Sequence, residues 1–205
     1  MDESKCDFSP MKKEVKNRLQ HLNISIESLI TGLEYEGSSC LLNEFHNMKK
    51  RFIETESLAS TFYLKCYLAP YTDKYEELSK AITNLSIRRH GALIVIQRSD
   101  PIDSFITSGI MVTATLTHSL LESIFIPGGP LHDGAVLIKD DKIISASNIL
   151  PLTLKVVNKQ EKMGTRHRAG LGLTEVSDAL VIIVSEETGQ SSFSLSGSLF
   201  PFSPA

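Results

Sequence analysis

The chain has 205 residues, enough for one ordinary domain or for a domain of about 120 residues with an appendage, and either can bury a real core. It is 41% hydrophobic and 22% charged with a formal net charge of −3, a globular balance that argues against holding nucleic acid by its phosphates, while a nucleotide can still bind through a few local cations. No apolar run approaches the ~20 residues that span a bilayer, so no membrane span is expected. The three cysteines, Cys6, Cys40 and Cys66, show neither CxxC spacing nor a His/Cys cluster, which disfavours zinc; their odd number and the lack of a signal peptide point to a reducing cytoplasm.

Ser9-Pro10 reads as an N-cap followed by proline at the first helical position. Behind it Met11, Val15, Leu19, Leu22, Ile26, Leu29 and Leu33 recur at spacings of three and four, on one face of a helix that ends near Gly32. Glu36-Gly37-Ser38-Ser39 reads as a turn. From Cys40 a second helix carries Leu41, Phe45, Met48, Phe52, Thr55, Ala59, Phe62 and Cys66 in a heptad seam, and the two together read as an antiparallel helical hairpin over residues 1–70. Pro70 stops the second helix, and a third is expected from Thr72 to Ile87.

Residues 71–205 read as a mixed sheet surrounded by helices, an α+β domain. Gly91–Ile96 is a short apolar run of the kind found in a buried strand, and Ile110–Val112 suggests another. Thr117–Phe125 reads as a helix stopped by Pro127-Gly128-Gly129-Pro130. Residues 135–138 and 143–147 flank Lys139-Asp140-Asp141-Lys142 as a β-hairpin. Gly164 opens a helix to Leu173, Ala179–Val184 is a second buried strand, and a last strand is expected over Ser191–Ser196. The tail from Leu199 to Pro204, with two prolines and two aromatics, reads as a mobile segment or one packed on a neighbour.

Two stretches carry chemistry. Leu131-His132-Asp133-Gly134-Ala135 sets a carboxylate beside an imidazole in a glycine-rich turn, which suits a divalent cation. Gly164-Thr165-Arg166-His167-Arg168 sets guanidinium groups and a hydroxyl at a helix start, which suits phosphate oxygens. Together they suggest a metal–nucleotide site; separately, Asp-Gly is also an ordinary turn and a basic triplet an ordinary solvated loop.

The strings LHDGAV and GTRHRAG, with RRHGALIV at Arg88–Val95 and VSEETG at Val184–Gly189, resemble the catalytic domain of the diadenylate cyclases, which make cyclic di-AMP from ATP. The resemblance covers about residues 80 to 195 and is greatest to the soluble branch that carries two amino-terminal helices in spore-forming bacteria. It implies that Asp133 is a metal ligand beside the ribose 3′-hydroxyl, that His132 and Glu187 are further metal ligands, and that Mn2+ or Mg2+ is the cofactor. It assigns Asp133, Gly134 and Arg166 to catalysis. Leu150, Gly164, Thr165, Arg166, His167, Arg168 and Ser185 are assigned to the nucleotide, with Arg166 ahead of Arg168 for phosphate contact and Leu150 meeting the adenine.

Because one ATP cannot close a ring of two, the resemblance implies a homo-oligomer, at least a dimer with facing sites, with ATP as the small-molecule partner and neither nucleic acid nor membrane. The helical hairpin then either covers part of the domain or controls assembly and activity. The alternative function is a non-catalytic ATP or cyclic di-AMP sensor on the same fold; a third is an interaction protein built around the hairpin.

Overall fold

The computed structural model describes residues 7–33, 41–107, 109–154 and 163–204. The expected turn at residues 36–39, Cys40 and residues 155–162 lie outside them. The chain divides into two compact units, Met1–Cys66 and Tyr67–Ala205.

The first unit holds α1 (Ser9–Gly32) and nearly all of α2 (Leu41–Leu68). The Phe8 ring meets Phe62 edge-on at 5.2 Å, and Arg51 Nη1 donates to Ser25 Oγ at 3.2 Å, so the start of α1 lies by the end of α2 and the helices run antiparallel. The helix starts one residue earlier than expected. Phe8 is the N-cap, and Asp7 Oδ1 accepts from Ser9 N at 2.9 Å, so the Asp7 carboxylate takes the free donor and not the Ser9 hydroxyl. Much of the predicted apolar face is uncovered within one chain: Met11 and Leu22 are buried, while Leu19, Ile26, Phe45 and Phe52 are exposed. A cleft of ≈ 1000 Å³ is lined by residues including Met11, Val15, Leu19 and Ile24 of α1 and Ala59 and Tyr63 of α2. Cys66 is disulfide-bonded.

The second unit is a seven-stranded mixed sheet in the order β2-β4-β3-β1-β5-β6-β7, flanked by α3 (Tyr75–Arg88), α4 (His118–Ile124) and α5 (Thr165–Val176). The strands are β1 (Ala92–Ile96), β2 (Ile110–Thr115), β3 (Ala135–Lys139), β4 (Lys142–Asn148), β5 (Leu180–Val184), β6 (Ser191–Leu195) and β7 (Ser198–Phe202). Strand alternation sends Leu93, Val95, Ala135, Leu137, Val181 and Ile183 to one face, where they form a core with Ala169 and Leu173 of α5. The residues between them point the other way, the side on which α3 packs against β5 and α4. Both faces of β1 and β5 are covered, which is why every residue of these strands is apolar and buried.

Three boundaries differ from the expectation for identifiable reasons. Thr72 and Asp73 are not helical because Asp141 Oδ1, in the β3–β4 turn, accepts from Thr72 Oγ1 at 2.8 Å and from Asp73 N at 3.0 Å. Strand β2 runs on to Thr115 through a register shift, with Thr113 left-handed at φ 49°. The tail is not loose: Ser198–Phe202 pairs antiparallel with β6 through the two-residue turn Ser196-Gly197, both at positive φ. Pro201 is tolerated there because β7 is an edge strand.

Candidate active site

Strand β1 pairs in parallel with β3 and antiparallel with β5, and β3 pairs antiparallel with β4. The starts of β1 and β3 and the ends of β4 and β5 therefore share one end of the sheet. Asp133 and Gly134 precede β3, Leu150 follows β4, Ser185–Glu187 follow β5, and Gly91 precedes β1.

Gly134 sits at φ +95°, and a Cβ there would come within 2.8 Å of both the Asn148 carbonyl oxygen and the Ser147 carbonyl carbon. The backbone of β4 thus requires glycine next to Asp133. Asn148, almost fully buried, ties the same region: its Nδ2 donates to Ala135 O at 2.8 Å, and its Oδ1 accepts from Gly109 N and from Ser145 Oγ, both at 2.9 Å. Sequence reading missed this residue, because an asparagine at a strand end looks like turn chemistry until its partners are known.

Asp133 is exposed, at the mouth of the site. His132 donates from Nδ1 to the Gly129 carbonyl, and since a carbonyl only accepts, this bond fixes the tautomer and leaves the Nε2 lone pair available to a cation. Among the described residues no group of three His, Cys, Asp or Glu side chains lies close enough to hold a metal ion. An imidazole nitrogen and a neighbouring exposed carboxylate still suit a hard divalent cation whose remaining ligands are substrate phosphate oxygens.

Across β1, Arg166 in the first turn of α5 donates from Nη1 to Glu186 Oε2 at 2.7 Å. The Arg166 guanidinium, which hydrogen-bonds it, holds the Glu186 carboxyl below its ordinary value. Gly164 is the N-cap of α5 and offers no side-chain cap, so the first amide groups of the helix face outward beside the exposed Thr165. Burial pushes His167 below the ordinary imidazole value of 6.5 while Glu187 opposes the shift, so His167 is held neutral. Arg168 is exposed and Leu150 is buried in the core beneath α5, where only its backbone can serve a ligand. Ser185 braces the turn that carries both glutamates: its Oγ accepts from Thr188 N at 3.3 Å and its carbonyl from Gly189 N at 2.9 Å.

Residues 79–199 match the family described as DisA bacterial checkpoint controller nucleotide-binding, and residues 2–71 match that described as Diadenylate cyclase CdaS, N-terminal. The chain belongs to the diadenylate cyclase family. It is 49% identical over 174 residues to cyclic di-AMP synthase CdaS of Bacillus subtilis, covering 85% of this chain and 83% of that protein. It is 43% identical over 193 residues to diadenylate cyclase CdaS of Bacillus thuringiensis, covering 94% and 95%. A crystal structure of a Bacillus cereus protein described as a hypothetical membrane spanning protein matches with a TM-score of 0.79 at 42% identity, over 94% of each chain. In this cyclase no helix among the described residues is long and apolar enough to cross a membrane.

Proposed function

We propose that the chain condenses two ATP molecules into cyclic di-AMP with release of two pyrophosphates, at a site completed by a second, facing subunit. The observation that carries this reading is the convergence, at one end of one sheet, of the Asp133 carboxylate, the uncapped start of α5 with Thr165 and Arg166, and the Ser185–Glu187 turn. Each ribose 3′-hydroxyl attacks the α-phosphorus of the other ATP and pyrophosphate leaves, so the protein mainly positions groups and neutralises charge.

Asp133 takes the 3′-hydroxyl proton or polarises that hydroxyl. Gly164, Thr165, Arg166, His167 and Arg168, with the N-terminal dipole of α5, receive phosphate oxygens; His167, held neutral, contributes a hydrogen bond and not a charge. Ser185 adds a hydroxyl, and the backbone at Leu150 meets the adenine edge. Asp133 and His132 Nε2 would hold a divalent cation, Mn2+ or Mg2+, which when bound supplies positive charge against the triphosphate; Glu187, expected as a further ligand, forms no three-ligand group with them among the described residues. The hairpin of residues 1–70 controls assembly or activity in a cytoplasmic homo-oligomer, a reading supported by the apolar side chains it leaves exposed.

The test is incubation of the purified full chain with ATP and Mn2+, with nucleotides separated by ion-pair chromatography and detected by mass. Cyclic di-AMP from wild type and none from Asp133→Asn is the expected result. Equal product from both would remove Asp133 from the chemistry, and ATP binding without product from wild type would favour a sensor.

A further inference from the structure

Arg166 leaves the first turn of α5 and lays its guanidinium over the start of β1. A Cβ placed on Gly91 would fall 2.4 Å from Nη1 and 2.6 Å from Cζ of Arg166, and 3.0 Å from the Glu186 Cβ. Only a missing side chain at Gly91 makes this space. Opposite the glycine, the Glu186 carboxylate takes one N–H of the guanidinium at 2.7 Å. Among the described residues that is the one bond the Arg166 side chain makes, and a guanidinium carries five N–H donors in all.

We propose that Glu186 and Gly91 are positioning residues that seat the Arg166 guanidinium, so that the rest of its donor fork is presented to the phosphates of ATP. The inference deepens the cyclase reading and rests on it. Two effects of Glu186 oppose each other. Its negative charge, largely exposed, repels a triphosphate, whereas its hydrogen bond fixes a long side chain that otherwise samples many rotamers. Screening weakens the repulsion at an exposed carboxylate, while the short charge-assisted bond and the glycine wall act directly on the donor atoms. Orientation therefore dominates, and the two effects predict opposite results on removal of the side chain.

Glu186→Ala should raise KM for ATP about tenfold with kcat changed less than about threefold, and weaken calorimetric binding of a non-reacting α,β-methylene ATP by a similar factor. Glu186→Gln, which keeps an oxygen acceptor at the same reach, should restore most of the loss. Gly91→Ala, which displaces the guanidinium from the other side without touching a carboxylate, should reproduce the higher KM. In an Arg166→Ala background, Glu186→Ala should add less than about a twofold further change, because the two act as one unit. Thermal melting of each variant keeps misfolding apart from these effects.

Tighter ATP binding in both Glu186→Ala and Glu186→Gln would overturn the inference in favour of simple repulsion, and so would full additivity of the Arg166 and Glu186 substitutions. A wild-type protein that binds the analogue and makes cyclic di-AMP, with Glu186→Ala indistinguishable from it, overturns this inference alone. A wild type that neither binds ATP nor makes product overturns the cyclase reading and this inference with it.

Discussion

Removal of the Asn148 side chain tests whether the site depends on a buried polar lock. Asn148→Ala deletes three hydrogen bonds, to Ala135 O, from Gly109 N and from Ser145 Oγ. At roughly 1 kcal/mol net for each, the loss is about 3 kcal/mol, and the partners left without a bond in a buried setting push it upward. For a chain of this size each kcal/mol shifts the melting point by about 2–4 °C, so calorimetry should find a fall of about 6–12 °C. Ala135 is two residues from Asp133, and loosening it should also lower cyclic di-AMP production by at least about tenfold. Asn148→Asp gives a finer test: it keeps both acceptor roles, loses the donation to Ala135 O, and buries a carboxylate. Burial raises the folded-state pKa of that carboxyl, so the folded state binds the extra proton, and the melting point should recover relative to wild type as pH falls from about 7 to about 5. A melting point for Asn148→Ala within about 2 °C of wild type would refute the lock.

Three further outcomes are expected. Gly134→Ala places a Cβ 2.8 Å from β4 backbone at φ +95°, so it should cost about 2 kcal/mol or more in a melt and abolish product; a variant with wild-type melt and rate would contradict the close approach. The Glu77 carboxyl lies below its ordinary 4.5 because the His118 backbone N–H, and then the His118 imidazole, bond it, so its contribution is present above that value and lost as pH falls through the folded one. Glu77→Gln should therefore melt below wild type at about pH 7, with the gap closing toward about pH 3; a gap independent of pH would refute the assignment. Stripping divalent cations with a chelator should stop cyclic di-AMP production and added Mn2+ should restore it, whereas full activity of metal-free protein would remove the cation from the mechanism.

The parts of this fold legible in the sequence are those where one local signal suffices. Apolar runs located the buried strands β1 and β5, Thr117 capped α4 as its position suggested, and the Asp140-Asp141 turn marked the β3–β4 hairpin. Strand β7 was obscured because Pro201 argues against a strand until the strand is known to lie at an edge. The early end expected for β2 reflects Thr113, whose left-handed backbone carries no side-chain signature. At the site, the acidic and basic motifs were legible as residue types. Their meeting was not, because the Arg166–Glu186 bond spans 20 residues and depends on the strand order.

That strand order also explains why glycine stands at position 91. In the sheet β1 lies between β3 and β5, so the start of β1 separates the carboxylate half of the site, at Asp133, from the cationic half, where the end of β5 meets α5. A side chain at position 91 would occupy the space in which the Arg166 guanidinium lies. With glycine there, the guanidinium rests against the first residue before β1 and Glu186 holds it from the far side. In the proposed reaction, Asp133, which would deprotonate or polarise a hydroxyl, and Arg166, which would receive phosphate charge, therefore stand on either side of the start of β1. Asp133 lies in the turn before β3 and Arg166 in the first turn of α5, so in the proposed reaction the strand order sets their separation for an in-line transfer between two nucleotides.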